Sequence, residues 1–506
     1  MSVTMNSFHS HQQNHVKKRS IEYIGAKFTS VSSMVLTILF FMNSVDTAHQ
    51  TVKPLMFSVS SIYLFFTLIQ LGITWKMKND LEKVGVIQTF TRRLGYVQML
   101  SLFAGHLIIA VFAFSLIKEK KTLAYIFAYY MLINHIVIMA LSALNLFKPY
   151  VTDSFPFAML VLFIIGLFYV AVFVFAIKQE ERKAASATIY IAIGLVLTSL
   201  MGNVFALLLA LQLVVKTGHI KKYHFEKWFS IWEKITRNQA AMLGLFFIVF
   251  VFSISMWSVF TFDYDLAVEN QYGAILQTPS LAYPFGTDQF GRDVFSQVVF
   301  GARISLLVGC ISTLIPAVIG GFLGAIAGYY TPKTDHVIMR LLDVLYAIPG
   351  ILLAIAIIAA FGANIVNLII ALSVGAIPTY ARTMRANVMM ISNLEYVQSA
   401  RALGASDLSI IFKEIVPNSL APMIVKATLT IGSAVIATSS LSYLGLGVEP
   451  HIPEWGNILK AGSTYLESHA YLAIFPGLAI IMLVLSFNFL GDALRDALDP
   501  KLNEMQ

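Results

Sequence analysis

Charge is what this sequence is poorest in. Asp, Glu, Lys and Arg make up 12% of its 506 residues, against roughly 25% in a soluble domain, while 58% are hydrophobic and the mean hydropathy is +0.75. The bilayer is the solvent such a chain requires. Its one cysteine, Cys310, lies in an apolar run and excludes an intrachain disulfide. No Gly-Lys dipeptide occurs anywhere. Hydrolysis of ATP on a phosphate loop needs that lysine, with glycine backbone amides and a magnesium ion, to offset the phosphate charge. The chain is therefore expected to carry no ATPase of its own. Short alternating segments of the kind that build membrane barrels are also missing; the apolar runs are long and rich in Leu, Ile, Phe and Ala. Only helices or closed barrels satisfy the backbone in lipid, so the expected fold is all-α, a polytopic transmembrane bundle.

Six apolar runs precede residue 216, at roughly 31–45, 54–75, 94–117, 122–147, 155–177 and 187–215. Six more follow at roughly 241–262, 303–330, 337–361, 365–381, 423–447 and 470–490. Each approaches the ~20 residues that crossing a bilayer takes, so about 12 spans are expected, with both termini on one side. With the N-terminus inside, the inner segments of the first half hold about 16 Lys/Arg, among them Lys76, Lys78, Lys83, Arg92, Arg93, Lys221 and Lys222, against about 7 outside. That bias makes both termini cytoplasmic, although the loop Lys118-Glu119-Lys120-Lys121 then falls outside, against the rule. Residues 1–30 read as a polar cytoplasmic tail without a signal-peptide pattern. Its His9, His11 and His15, followed by Lys17, Lys18 and Arg19, read as a solvated segment rather than a metal site.

Residues 216–240 join a six-span N-terminal region (31–215) to a second six-span domain (241–498). Within the junction Phe225, Trp228, Phe229, Trp232 and Ile235 recur at steps of three or four, with Glu226, Lys227, Glu233 and Lys234 largely elsewhere. This spacing predicts an amphipathic helix with its tryptophans at headgroup level.

The loop at 382–422 is too long and too patterned for a connector. It reads as two short helices hinged at one glycine. Asn393 is placed to cap the first, with Glu395 near its positive end and Leu394, Val397 and Ala400/Arg401 along it. Gly404 stands where a left-handed residue is wanted. Ser406 and Asp407 open the second helix, in which Leu408, Ile411, Phe412 and Ile415 fall at i, i+3, i+4 and i+7. Pro417 and Asn418 are expected to end it. The outcome would be an apolar knob that needs a partner surface, and a groove on another protein is the standard one.

Here a resemblance becomes specific. The stretch from Glu395 through Gln398, Ser399, Ala400, Arg401, Gly404, Ala405 and Asp407 to Phe412 and Pro417 resembles the EAA loop of ABC importer permeases in the dipeptide/oligopeptide/nickel family. It departs from that pattern in having Gln398 and Ser399 where Glu and Ala are usual, and Val416 where Leu is usual. Gly286-Thr287-Asp288-Gln289-Phe290-Gly291-Arg292-Asp293, leading to Gly301-Ala302-Arg303, resembles the family's signature after its first permease helix. Leu441 to Gly447 with Pro453-Glu454-Trp455-Gly456 is similar to a later one. Read physically, the first signature is a glycine-punctuated turn in which Asp288, Arg292 and Asp293 are close enough to pair.

The resemblance spans about 229–498. It implies a permease subunit of the prokaryotic cytoplasmic membrane that pairs with a second homologous permease, two ATP-binding subunits and an extracytoplasmic substrate-binding protein. It implies that ATP and magnesium are bound by the partner ATPases and that this chain holds no cofactor or metal. The lipid bilayer is its only other expected partner, with no nucleic acid, and peptides or metal chelates are the implied cargo. The competing class is an ion-coupled carrier, for which His106, Asn134, His135 and Asn203 of the first half would supply a polar path. Interhelical hydrogen bonding is the simpler role for such isolated groups. In the second half Asp343, Arg382, Arg385 and Asp492 fall near the expected ends of spans.

Overall fold

The computed structural model describes residues 21–46, 51–52, 54–117, 122–178, 187–216 and 223–499. The histidine and basic clusters of the tail, the 118–121 loop, Lys221 and Lys222 lie outside them. Apart from a two-residue antiparallel pair, Val45–Asp46 with Thr51–Val52, the regular structure described is helical, as the composition requires. The chain divides into two compact units, residues 1–122 with 237–239, and residues 123–236 with 240–506.

The first unit is built from α1 (Ile21–Ser44), α2 (Pro54–Lys83), α3 (Thr89–Met99) and α4 (Leu107–Ile117). Helix α1 begins ten residues ahead of the apolar run, inside the segment expected to be tail. Hydroxyl pairs tie α1 to α2, Ser30 to Thr74 at 2.8 Å and Thr37 to Thr67 at 3.0 Å. Such rungs suit a membrane helix pair, because an unmatched hydroxyl in lipid costs more than it would in water.

The second unit holds α5 (Leu123–Ala143), α6 (Phe155–Lys178), α7 (Ala187–Ser199), α8 (Val204–Lys216) and α9 (Tyr223–Arg237). It continues with α10 (Gln239–Thr261), α11 (Val294–Tyr329), α12 (Pro332–Tyr346), α13 (Gly350–Phe361) and α14 (Ile365–Ile391). Then come α15 (Glu395–Ala402), α16 (Val416–Tyr443), α17 (Trp455–Ser463) and α18 (Tyr471–Leu498).

Among the described residues eight helices are long and apolar enough to cross a membrane, or nine if α12 and α13, bent by 79°, count as one span. The shortfall from twelve has local causes. The run at 94–117 is broken into α3 and α4 at Gly105, and the run at 187–215 into α7 and α8 at Gly202; both glycines have positive φ, 73° and 93°. The run at 31–45 lies within α1, which is not among the eight.

Helix α9 carries the aromatic residues of the junction. Ile231 and Ile235 are buried and the Trp232 ring meets Phe127 of α5 edge-on at 5.6 Å, while Trp228 is exposed. The apolar face is thus seated partly on protein. Three of the four polar residues of the first half are also accounted for. The Asn134 amide donates to Ser253 Oγ, the Asn203 amide to the Met131 carbonyl, and His135 Nε2 lies 2.7 Å from the Leu162 carbonyl.

The closest helix packing follows a motif that the sequence displays, Gly320, Gly324 and Gly328. A Cβ at Gly320 would lie 2.6 Å from the Ile377 carbonyl oxygen, one at Gly328 would lie 2.8 Å from that of Arg385, and one at Gly324 would collide with that of Ala381. Small residues four apart let the backbones of α11 and α14 touch, which is how membrane helices gain dispersion energy where lipid offers no hydrophobic drive. Helix α12 is fastened to α14 by two ion pairs, Arg382 to Asp343 at 2.6 Å and Arg385 to Asp335 at 2.5 Å. Arg382 and Arg385 lie in the last ten residues of α14, just beyond the apolar run at 365–381.

Candidate functional site

The knob is built as the sequence predicts at its hinge and differently at both ends. Gly404 has φ 81°. The Ala405 N–H donates to the Ala400 carbonyl at 3.1 Å and the Gly404 N–H to that of Arg401 at 3.0 Å, the paired bonds of a Schellman C-cap. Asn393 does not cap α15. Leu394 occupies that position without a side-chain cap, and the Asn393 amide donates back to the Met389 carbonyl at 2.8 Å. Nor does Pro417 end the second helix. The one-turn helix Asp407–Ile410 widens into a π-turn, Ile411–Ile415, and runs on into α16, with Pro417 in that helix's first turn. The wider π-turn directly ahead of it is where the continuous helix accommodates a residue with no N–H to donate.

The apolar face divides in two. Val397, Ile410, Ile411 and Ile415 are buried with Tyr380, Met384 and Val388 of α14, Ala325 of α11 and Met423 of α16. Such burial is worth about 1.5–3 kcal/mol per large side chain, so the knob is seated on its own chain. What faces outward is Leu403, 88% exposed, Leu408, 62%, and Phe412, 55%. Polar contacts brace the same element. The Tyr329 hydroxyl, at the end of α11, donates to Asp407 Oδ1 at 2.7 Å, and the Arg401 guanidinium lies 5.4 Å from the centre of the Tyr329 ring. Gln398 donates to the Asn393 carbonyl and Ser399 to that of Glu395. Tyr329 went unread in the sequence, because nothing in its spacing connects it with Asp407.

At the other end of α11, the glycine-punctuated turn closes on itself. Gly286 and Gly291 have φ 75° and 79°. Asp288 accepts from the N–H groups of Phe290 and Arg292, from Arg292 Nε at 2.7 Å and from the Gln297 amide at 2.9 Å. The Thr287 hydroxyl donates to the Ala274 carbonyl and accepts from the Gln277 N–H. A Cβ at Gly291 would run into the Gln271 backbone. Asp293 does not join the Asp288–Arg292 pair. It caps α11 through the N–H groups of Phe295 and Ser296 and accepts from Lys148 Nζ at 2.6 Å. Helix α11 starts nine residues before Arg303, which is exposed on its side. Glu454 is wholly buried at the N-cap of α17, accepting from the N–H groups of Gly456 and Asn457 and from the hydroxyls of Ser305 and Ser439. Among the described residues no group of three or more His, Cys, Asp or Glu is placed to hold a metal ion.

Residues 320–504 match the model of the binding-protein-dependent transport system inner membrane components. The chain is 42% identical over 275 residues to the glutathione transport system permease protein GsiD of Pectobacterium atrosepticum, and to that of Escherichia coli O6:K15:H31. In both cases the alignment covers 54% of this chain and 91% of the relative. An inward-facing structure of the MetNI methionine ABC transporter aligns over 40% of this chain and 97% of that one, at 21% identity and a TM-score of 0.34, a likeness that carries no argument.

Proposed function

Because this chain belongs to the binding-protein-dependent transport system inner membrane components, we propose that residues 241–498 form half of the translocation pathway of an ATP-driven importer. The other half would come from a second permease. Two separate ATPase subunits would dock on the knob, and an extracytoplasmic binding protein would deliver the cargo. The observation that carries the reading is the division of the knob, whose inner face is seated while Leu403, Leu408 and Phe412 stand outward. An exposed apolar ridge beyond the bilayer fits a groove in a protein partner. The knob's face is then the cytoplasmic one, with ATP and magnesium held by the partners.

A push on the ridge would pass directly to three helices. The knob is continuous with α16, it packs on α14, and it is tied through Tyr329 to α11. ATP-driven closure of the ATPases would tilt these helices against the second permease, the bistable element on which alternating access depends. Peptides are the favoured cargo. The relatives' names specify glutathione, a tripeptide, which supports a short peptide.

The test is purification of the gently solubilised chain from its native membrane, as wild type, Leu408→Asp and Gly404→Asp. Leu408 is exposed, so Leu408→Asp leaves the core untouched; a Cβ at Gly404 meets nothing within 4 Å but strains the left-handed hinge, so Gly404→Asp acts on the knob's shape. ATPases and a second permease should accompany the wild type, and both variants should lose the ATPases alone. If no ATPase accompanies the wild type, the importer reading is wrong.

A further inference from the structure

Helix α16 crosses the apolar layer with a row of polar side chains along one side. Lys426, Thr430, Ser433 and Ser440, with the small Ala437 between them, follow one another at steps of three and four. At 100° per residue all five stay within about 40° of one line, and the row is about 21 Å long. These residues are half-buried or exposed. The Thr430 hydroxyl turns back to the Lys426 carbonyl at 2.8 Å, and those of Ser433 and Ser440 meet no partner among the described residues. The hydroxyl of Ser439, off this line, is instead buried against Glu454.

Lys426 stands apart from the neighbouring cations. Arg382 and Arg385 each hold an aspartate of α12, whereas Lys426 has no carboxylate partner among the described residues. Its ammonium lies 5.5 Å from the centre of the Tyr380 ring. It stands three residues inside the apolar run that begins at 423 and is half-buried. An ionised group held there needs water or a counter-charge.

We propose that this row lines the translocation pathway and that Lys426 is its anion-selecting group, holding the carboxylate of the passing substrate. The proposal rests on the importer reading and deepens it. An aqueous channel gives the three hydroxyls water to bond, and a transient anion supplies the counter-charge that the chain lacks. A free carboxylate is the group that every unmodified peptide carries. The cargo class is therefore small, carboxylate-bearing solutes.

The experiment uses the assembled importer in its own membrane, with Cys310→Ser as background. Single cysteines at Thr430, Ser433, Ser440 and the outward, opposite-facing Ile424 are treated with anionic methanethiosulfonate ethylsulfonate or its cationic trimethylammonium counterpart. Modification is read on this chain by mass spectrometry. The three row positions should react and Ile424→Cys should not. At Thr430→Cys the anionic reagent should be favoured on the order of tenfold relative to a free thiol, and Lys426→Met should bring that ratio to about one. A row no more reactive than Ile424→Cys would place it in lipid or in a helix contact and overturn the proposal. An anionic-to-cationic rate ratio equal to that of a free thiol, with Lys426 present, would overturn the anion selectivity. Loss of the ATPases in purification would count against the importer reading without altering these labelling rates.

Discussion

Lys148 Nζ lies 2.6 Å from Asp293 Oδ2 and 2.8 Å from Ser296 Oγ, with both charged side chains closed to solvent. The lysine follows α5, in the N-terminal region, and the aspartate caps α11, so the second unit is locked together at the start of its longest helix. The Phe262 and Phe295 rings flank the ammonium at 5.3 and 5.8 Å. Removing one member of a buried pair leaves the other uncompensated, at a cost of about 3–5 kcal/mol. Lys148→Met should lower unfolding stability in detergent by that order. Adding Asp293→Asn, which keeps a capping oxygen, should restore most of it. Unchanged melting of Lys148→Met would show that the pair contributes nothing.

The glycine row of α11 gives a prediction with an internal control. At Gly324 a Cβ would meet the Ala381 carbonyl and, at 2.9 Å, the Met384 Cβ; at Gly321 it would touch only the end of Met423 at 3.5 Å. Overpacking costs typically 1–3 kcal/mol. Gly324→Leu should reduce melting temperature and folded yield sharply, whereas Gly321→Ala should be close to wild type. Equal behaviour of the two would contradict close backbone packing of α11 on α14.

The Tyr329–Asp407 bond is exposed, so its removal should loosen the knob without unfolding the bundle. A hydrogen bond contributes about 1 kcal/mol net, which corresponds to roughly fivefold in a local opening equilibrium. In Tyr329→Phe the amides of 405–410 should exchange faster by that factor, with those of the α14 core unchanged. Identical exchange would mean that the buried isoleucines alone hold the knob.

Burial raises the Glu454 carboxyl above the ordinary glutamate range, while hydrogen bonds from the Ser442 and Ser439 hydroxyls and the Gly456 and Asn457 N–H groups pull the other way. Between the ordinary and the raised value the folded chain keeps a proton that the unfolded chain releases. Stability therefore falls as pH rises through that window and is flat above it. Glu454→Gln should abolish this slope in melting temperature measured from mildly acidic to neutral pH. A slope that persists in the variant would assign it to another group.

Much of this was legible in local patterns. The Schellman turn at Gly404 could be read because a left-handed C′ residue is a property of a few consecutive residues. The Asp288–Arg292 pair could be read because the partners are four apart. Asn393 was misread because an amide that reaches back into the preceding helix looks, in sequence, like one poised to cap the next. Pro417 was misread because a proline in a helix's first turn and one beyond its end follow the same kind of residues. Gly320, Gly324, Gly328 and Lys426 went unread, because neither spacing nor composition says what faces them.

The sequence by itself determined that the chain is a helical membrane protein, that Gly404 is a hinge, and that three family motifs stand in order. Composition and near-neighbour sterics are enough for those conclusions. Only the tertiary structure decided that half of the knob is seated on α11, α14 and α16, that Lys148 is buried against Asp293 145 residues away, and that Tyr329 braces Asp407. Each of these depends on which helices touch, and in a bilayer, where every helix is apolar nearly all round, hydrophobic periodicity no longer marks the face that meets a neighbour.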